Sequence, residues 1–270
     1  MERLDAIADV ANMVSGSETV EVTCERCGEP FEYEQHYVRY LEETRPVPVA
    51  PVCPACREAE RLEQEASYAL RRFEQAMSRY RDGHLGSRLA GASFAAFQEG
   101  PHNAAGLKAA QRWLSADPRP NLLLVGPVQS GKSYLAACIH NALLLAQQPA
   151  YWLNAESLVA RIRRGFTDRE ATVTANRWLD NAETAPVLVL DDLGKVHPGR
   201  DVSWVEETFY GIIEARYRDE LPTVITTEWK AAVLAERVGE SVVSRLKHGA
   251  WAVGLDLPPT PYRRTREVPR

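Results

Sequence analysis

The chain has 270 residues, enough for one medium-sized domain and a smaller module, with five cysteines and a formal net charge of −5. No apolar run approaches the roughly 18 residues that a membrane span requires, and the acidic N-terminus lacks the pattern of a secretory signal. We therefore expect a cytoplasmic protein without membrane contact. Residues 1–60 contain 5 basic and 13 acidic side chains, net −8, so the remainder carries net +3. This charge does not indicate nucleic-acid binding, and the acidic N-terminal part would be repelled by phosphates.

Four cysteines form two Cys-x-x-Cys pairs in the N-terminal part: Cys24 with Cys27, and Cys53 with Cys56. In a reducing compartment this spacing indicates a metal site rather than a disulfide framework. Four thiolates in tetrahedral reach suit Zn²⁺, and a closed shell of four sulfurs leaves no coordination position for catalysis. A redox dithiol would account for one pair and leave the other without a role. We therefore expect residues 1–60 to be a zinc-binding module that docks a partner protein.

A helix is predicted from residue 57 to about residue 80, because apolar side chains recur there at spacings of three and four. This helix either connects two modules or takes part in a helix–helix contact. Residues 81–91 contain three glycines and are typical of a hinge. Residues 61–92 are therefore interpreted as a helical linker and hinge that precede the main domain, residues 93–270.

The most informative stretch, residues 121–133, reads NLLLVGPVQSGKS. Its apolar residues predict a strand buried on both faces, and the G-x-x-x-x-G-K-S spacing of a P-loop follows at once. The glycines let backbone N–H groups turn toward phosphate oxygens, Lys132 brings positive charge to the β- and γ-phosphates, and Ser133 offers a hydroxyl to Mg²⁺. A helix is predicted next, and its N-terminal dipole favours an anion. We expect ATP or ADP to bind at Gly126, Pro127, Val128, Gln129, Ser130, Gly131, Lys132, Ser133 and Tyr134.

A second diagnostic run, PVLVLDDLG, covers residues 186–194. Its strand delivers Asp191 and Asp192 to the edge that carries the P-loop, because ligands of an open parallel sheet bind at the carboxyl ends of its strands. Asp191 is expected to hold Mg²⁺ together with Ser133, and Asp192 to polarise the attacking water. The two runs predict an α/β ATPase domain with a central parallel sheet flanked by helices. Many such ATPases carry Glu at the second position, so the shorter Asp192 predicts slow hydrolysis.

A segment ahead of the P-loop, F-x-x-F at residues 94–97 and G-x-x-N at residues 100–103, completes a wider pattern. With the two diagnostic runs, it makes residues 94–263 resemble the AAA+ ATPases of the DnaA/DnaC/IstB group. In that group the segment faces the nucleotide base. The resemblance implies that no C-terminal helical lid is present, as in helicase loaders of the DnaC/DnaI type.

The resemblance also implies three further site residues. Thr227 takes the place of sensor 1, although Glu228 stands where the resembled loaders usually have Asn. Arg245, in the run GESVVSRL, matches an arginine finger that reaches a neighbouring subunit's nucleotide and so implies self-association. An intramolecular ion pair is the alternative for this residue. Arg263, in the run Pro-Tyr-Arg, matches sensor 2 and would contact the bound nucleotide.

The resemblance implies a helicase loader for DNA replication. The zinc module would dock a replicative hexameric helicase of the DnaB type, and the ATPase domain would bind single-stranded DNA. A helix end with Arg161, Arg163 and Arg164, followed by Phe166, offers charge and stacking for such a strand, or is a solvated helix end. Two alternatives remain: an IstB-type transposition ATPase, for which a basic N-terminal module would be expected, and a P-loop NTPase scaffold that loads no helicase.

Overall fold

A computed structural model describes residues 14–40, 43–47, 51–80, 83, 85–195 and 203–258. The chain divides into two compact units, Met1–Arg71 and Arg72–Arg270. Within the described ranges, every helix is too short or too polar to cross a lipid bilayer. Arg263 lies outside these ranges.

The first unit contains a three-stranded antiparallel sheet in the order β1 (Val14–Thr23), β2 (Pro30–Tyr40) and β3 (Glu43–Pro46). Its half-buried face pairs Val20 with Tyr33 and Val22 with Phe31, whereas the intervening side chains are exposed. This alternation is the pattern of a sheet with one covered face. The covered face is small, so the fold of this unit needs stabilisation beyond apolar burial.

Helix α1 (Pro54–Arg79) begins in the first unit and ends in the second. Proline is well suited to the first turn of a helix, because its missing N–H has no partner there. The observed helix confirms the one predicted from the apolar periodicity of residues 57–80. None of its residues is buried, and Leu62 and Leu70 on the apolar stripe are 53% and 41% exposed.

The second unit is built on a five-stranded sheet whose paired strands are all parallel. The spatial order is β5 (Ala150–Asn154), β6 (Val187–Asp191), β7 (Thr223–Thr227), β4 (Leu122–Val125) and β8 (Trp251–Gly254). The first four strands in this order are almost fully buried, as expected for a parallel sheet with helices on both faces.

Helices connect these strands, and a short 3₁₀ helix lies at Phe94–Ala96. The described α-helices of this unit after α1 are α2 (Gly86–Leu89), α3 (Ala104–Leu114), α4 (Lys132–Leu145), α5 (Ala155–Gly165), α6 (Arg169–Thr184), α7 (Ser203–Arg218), α8 (Ala231–Val238) and α9 (Glu240–Lys247).

Two apolar clusters cover the opposite faces of the sheet. On β6, Leu188 and Leu190 belong to one cluster, which includes Phe209 of α7. Val187 and Val189 belong to the other, on the side of α4. Alternate residues of one strand thus enter different cores, which confirms the predicted α/β fold with a central parallel sheet flanked by helices.

Candidate nucleotide site

The P-loop connects β4 to α4 at the carboxyl edge of the sheet. A Cβ on Gly126 would lie 2.1 Å from the carbonyl oxygen of Leu255, so the backbone passes too closely here for any side chain. Gly131 has φ of 94° and precedes the first turn of α4, a conformation that favours glycine. The loop therefore directs the N-terminus of a 14-residue helix, with its unpaired N–H groups, toward the loop's own concave side.

Lys132 is 5% exposed, and its Nζ donates a hydrogen bond to the Pro127 carbonyl at 2.7 Å. Burial lowers the pKa of Lys132, and the negative charges of Asp192, Glu228 and Asp191 oppose that shift. Ser130, also in the loop, is fully buried, and its Oγ has no hydrogen-bond partner among the described residues. A desolvated cation and an unpartnered buried hydroxyl in one loop are what a bound anion would satisfy.

Asp191 ends β6 and is 6% exposed. Burial raises its pKa, and hydrogen bonds with Thr226, Ser133 and Asn154 oppose the rise. The hydroxyl of Thr226 donates to Asp191 Oδ1 at 2.7 Å. The structure thus brings Asp191 and Ser133 together, as predicted for Mg²⁺. A hard cation prefers such carboxylate and hydroxyl oxygens and would favour the ionised form of Asp191.

Asp192 has φ of 58°, an uncommon left-handed conformation for a residue with a side chain. Its N–H donates to Thr226 Oγ1 at 2.9 Å, which fixes this backbone. Its carboxylate accepts a hydrogen bond from Lys195 at 3.1 Å. The residue predicted to polarise water is therefore held next to a cation that no sequence motif singled out.

Thr227, the residue predicted for sensor 1, faces a different part of the site. Its hydroxyl donates to the Leu193 carbonyl at 2.7 Å and accepts from the Trp229 N–H at 3.2 Å. The hydroxyl bonded to the Asp191 carboxylate belongs to its neighbour Thr226. In a buried strand, successive side chains point to opposite faces, so the one-residue difference decides which threonine contacts the carboxylate.

A cavity of about 890 Å³ extends from the P-loop toward residues ahead of it. Gly131, Ser133, Asp191 and Asp192 line one part of it, and residues 85–89 and 96–98 line another. Phe97 lies beside Tyr134, with 6.0 Å between ring centroids. The cavity is large enough for a nucleotide. Residues 85–89 were predicted only as part of a hinge, and their place in this wall was missed.

The G-x-x-N motif has a local structural role beside this cavity. Asn103 is buried, and its Oδ1 accepts a hydrogen bond from the Gly100 N–H at 2.9 Å. Its Nδ2 donates to the Gln98 carbonyl at 2.9 Å. Asn103 therefore fixes the loop that presents Phe97 and Gln98 to the cavity, in agreement with the placement expected for this segment.

Arg245 lies on α9 and forms an ion pair with Glu214 of α7. This is the intramolecular pair that the sequence left open as an alternative to a finger. The pair lies near the amino edge of the sheet, since the carbonyl of Leu246 accepts a hydrogen bond from Asn121, which precedes β4. The P-loop is at the other end of that strand, so Arg245 is not part of the nucleotide site of its own chain.

The four cysteines of the first unit form the second candidate site. Their sulfur atoms all lie within 4.8 Å of one another, and Cys24 is 1% exposed. The Cys53 N–H, 3.3 Å from Cys24 Sγ, is the main cause that lowers the pKa of Cys24 to about 6. The hydrogen bond with Cys27 is the main cause that raises the pKa of Cys56 to about 12. Four sulfurs this close can all be ionised only with a cation among them, and the sulfur-only donor set suits zinc.

Comparison with known proteins gives matches among solved structures, whereas no protein-family model and no curated protein matches this chain. The DnaC helicase loader is 24% identical, with a TM-score of 0.54, over 63% of this chain and 99% of that one. DnaI is 23% identical, with a TM-score of 0.53, over 66% and 94%. The replication initiator DnaA bound to AMPPCP and single-stranded DNA is 18% identical, with a TM-score of 0.53, over 64% and 51%.

The chain has a DnaC-like AAA+ fold. The matches agree with the resemblance to DnaC/DnaI-type loaders that the sequence motifs carry. The matched part of this chain spans nearly all of the DnaC structure and about half of the DnaA structure.

Proposed function

We propose that residues 93–270 are an ATPase domain that binds MgATP and hydrolyses it slowly. The observation that carries this proposal is that Gly131 and Ser133 of the P-loop line one cavity with Asp191 and Asp192, at the end of β6 and just after it, on an AAA+ fold. The P-loop N–H groups and Lys132 would hold the phosphates, and Ser133 and Asp191 would hold Mg²⁺. The metal would neutralise charge on the phosphoryl oxygens. Asp192 would orient the attacking water, and its pairing with Lys195 supports slow turnover.

The experiment is calorimetric titration of the full chain with MgADP and MgATP. Lys132→Ala is expected to weaken binding by about 10–100-fold, because a hydrogen bond to a charged group contributes about 1.5–3 kcal/mol. Lys108→Ala, on an exposed position of α3, is the control. Unchanged affinity in Lys132→Ala would contradict the proposal.

We propose further that the protein is a helicase loader. In this function the zinc module docks a replicative hexameric helicase, and the ATPase domain places it on single-stranded DNA. The likeness to the structures of the DnaC helicase loader and DnaI supports this choice. Six exposed glutamates lie within residues 14–40, namely Glu18, Glu21, Glu25, Glu29, Glu32 and Glu34. Such a surface suits a basic protein patch and opposes contact with DNA.

A pull-down with the full chain and a purified hexameric helicase tests this function. We expect Cys24→Ser with Cys53→Ser to abolish helicase capture while MgATP binding remains, because the changes dismantle the metal site. Lys132→Ala should leave helicase capture intact and weaken MgATP binding. Capture of a transposase instead would favour the transposition ATPase, and capture of neither would favour the scaffold.

Single-stranded DNA is proposed to bind where α5 ends. Phe166 is 67% exposed, and its ring meets Trp204 edge to face at 5.6 Å between centroids. The guanidinium of Arg163 lies 6.0 Å from the centre of the same tryptophan ring, and Arg164 is exposed beside it. An exposed phenylalanine that rests on a half-buried tryptophan and is flanked by cations matches the stacking platforms of single-strand binders.

Fluorescence anisotropy with a labelled oligonucleotide tests the platform. Phe166→Ala is expected to weaken binding by about 5–100-fold, the range of about 1–3 kcal/mol for loss of one stacked base. Leu145→Ala is the control, since Leu145 is 86% exposed at the end of α4. Equal effects of the two substitutions would contradict a stacking role.

A further inference from the structure

Arg245 is separated from its own P-loop by the length of a strand. The neighbouring Leu246 is bonded to Asn121, at the amino end of β4, whereas the P-loop begins at the carboxyl end. At about 3.3 Å per residue, these ends are roughly 10 Å apart. If Arg245 acts on a nucleotide, that nucleotide belongs to a second copy of the chain.

The surroundings of Arg245 hold its guanidinium on one side. Its Nε donates to Glu214, and its terminal nitrogens make two longer contacts, of 3.2 Å to the Ser241 carbonyl and 3.3 Å to the Tyr210 hydroxyl. The guanidinium lies 4.9 Å from the ring centre of Tyr210 and 6.0 Å from that of Tyr217. The side chain stays 27% exposed, so it is held without being enclosed.

The cleft beside Arg245 carries a small net positive charge. It has a volume of about 590 Å³, and its charged lining consists of Arg119, Arg216, Arg218, Arg245 and Glu220. Arg218 and Arg245 form ion pairs with Asp219 and Glu214. Arg216 is 1% exposed and donates to the Thr223 hydroxyl and to the carbonyls of Ala182, Ala185 and Pro222, all uncharged acceptors. Arg119 and Arg216 therefore outweigh Glu220, which gives a cationic surface that a polyphosphate of a second copy complements.

We propose that Glu214 and Tyr210 are positioning residues that present Arg245 to the nucleotide of a second copy of this chain. This inference rests on the proposed ATPase function. Glu214 holds the inner Nε edge and Tyr210 supports the guanidinium plane. Each terminal nitrogen uses one N–H for the Ser241 carbonyl or the Tyr210 hydroxyl, so its second N–H is the donor left for phosphate oxygens. An arginine without such partners would lose most of its rotamer freedom when it contacts the phosphates. Arg245 has already lost that freedom through Glu214 and Tyr210.

Mixed subunits test the proposal with the full chain. At an ATP concentration near the wild-type Kd, Lys132→Ala subunits keep the finger and are mostly without nucleotide, whereas Arg245→Ala subunits bind nucleotide and lack the finger. Mixing them is expected to restore turnover at the Arg245→Ala sites, since a finger contributes about 10³–10⁵-fold to turnover where it acts. Adding Glu214→Ala to the Lys132→Ala donor should lower the restored rate about tenfold, the scale of one freed arginine. Adding it to the Arg245→Ala acceptor should change nothing.

Three further variants separate positioning from structure. Glu214→Gln keeps an acceptor for Nε, so a donor with this change is expected to lose less of the restored turnover than a donor with Glu214→Ala. Tyr210→Phe keeps the ring, so a Lys132→Ala donor that also carries Tyr210→Phe should restore nearly as much turnover as the donor with Tyr210. Glu207→Gln changes an exposed glutamate on the same helix and serves as the control. All donors should keep the wild-type melting temperature, and the acceptor's KM for ATP should stay constant.

The outcomes separate this proposal from the ATPase function. If wild-type chains bind no MgATP, both fail. If wild-type chains turn over ATP but Glu214→Ala donors restore it fully, the positioning role alone is overturned. A Glu214→Ala donor that restores more than the wild-type donor would overturn it too, because Glu214 would then restrain the finger rather than present it.

Discussion

Thr226 and Thr227 are neighbouring buried threonines whose hydroxyls serve different parts of the proposed ATPase site. Thr226 bonds the Asp191 carboxylate and the Asp192 N–H, whereas Thr227 bonds the Leu193 carbonyl and the Trp229 N–H. Substitution with valine keeps the shape of each side chain and removes the hydroxyl. Thr226→Val should therefore slow hydrolysis, and Thr227→Val should mainly reduce stability.

The magnitudes follow from the lost hydrogen bonds. In Thr226→Val, Asp191 loses a donor worth about 1.5–3 kcal/mol to a charged acceptor. If that donor fixes the carboxylate during turnover, hydrolysis should slow by about 10–100-fold. Thr227→Val leaves a buried carbonyl and a half-buried N–H without the Thr227 hydroxyl, which costs about 1–3 kcal/mol of the free energy of unfolding. Its rate per folded molecule should remain within about threefold of the wild type.

Single-turnover hydrolysis with excess enzyme isolates the chemical step, and calorimetry measures MgADP affinity in the same variants. Urea unfolding reports the stability of each variant, so that rates can be compared at equal folded fraction. A larger rate loss in Thr227→Val than in Thr226→Val would refute the assignment. So would an unchanged rate in Thr226→Val at unchanged nucleotide affinity.

Three other outcomes are expected. Metal analysis should find one zinc per chain in the wild type and none in Cys53→Ser. Cys138 is a buried cysteine of α4, and the control Cys138→Ser should keep the zinc; zinc retained in Cys53→Ser would exclude the four-cysteine cluster as the zinc site. Burial lowers the pKa of His140 below 6.5, so the unfolded chain binds more protons than the folded chain in acid. The free energy of unfolding should therefore fall as pH drops from about 7 to about 5. The loss is about 1.4 kcal/mol for each tenfold decrease in the proton affinity of His140 on folding. Urea unfolding of His140→Phe should be less pH-dependent, and an equal dependence would contradict this. Lys195→Ala should raise single-turnover hydrolysis by at most about fivefold, because partly exposed pairs are worth about 0.2–1 kcal/mol; a fall would show that Lys195 is needed for turnover.

The central elements of the α/β domain could be predicted because their signals are local. Buried parallel strands read as continuous apolar runs, and the P-loop requires glycines at fixed spacing. The run at residues 186–191 and Gly126 are examples, and the structure agrees at both. Helix α6 was missed, since its apolar contacts are mostly alanines and its clearest signal is the N-cap at Asp168, which accepts hydrogen bonds from Glu170 and Ala171 N–H groups.

The partners of the site residues could not be predicted, because they come from distant parts of the chain. Glu214 meets Arg245 across 31 positions, and Thr226 meets Asp191 across 35. Neither pair belongs to a sequence motif. The position of each threonine along β7 alone decides that Thr226, and not Thr227, contacts the Asp191 carboxylate. Residues 85–89 reach the cavity wall in the same way, through tertiary packing that their own sequence does not specify.

Three charged groups of the proposed machinery have intramolecular partners. Lys132 bonds the Pro127 carbonyl, Asp192 pairs with Lys195, and Arg245 pairs with Glu214. Nucleotide binding would thus exchange a partner for Lys132 instead of removing a free cation from water, which lowers both the cost and the net gain of binding. Asp192 and Arg245 have similar exchanges available during turnover and assembly. Each exchange involves a different partner, Lys195 in the loop after β6 and Glu214 on α7. In the proposed function, the nucleotide state would therefore change the contacts of the loop and those of the α7–α9 face separately, as a nucleotide switch requires.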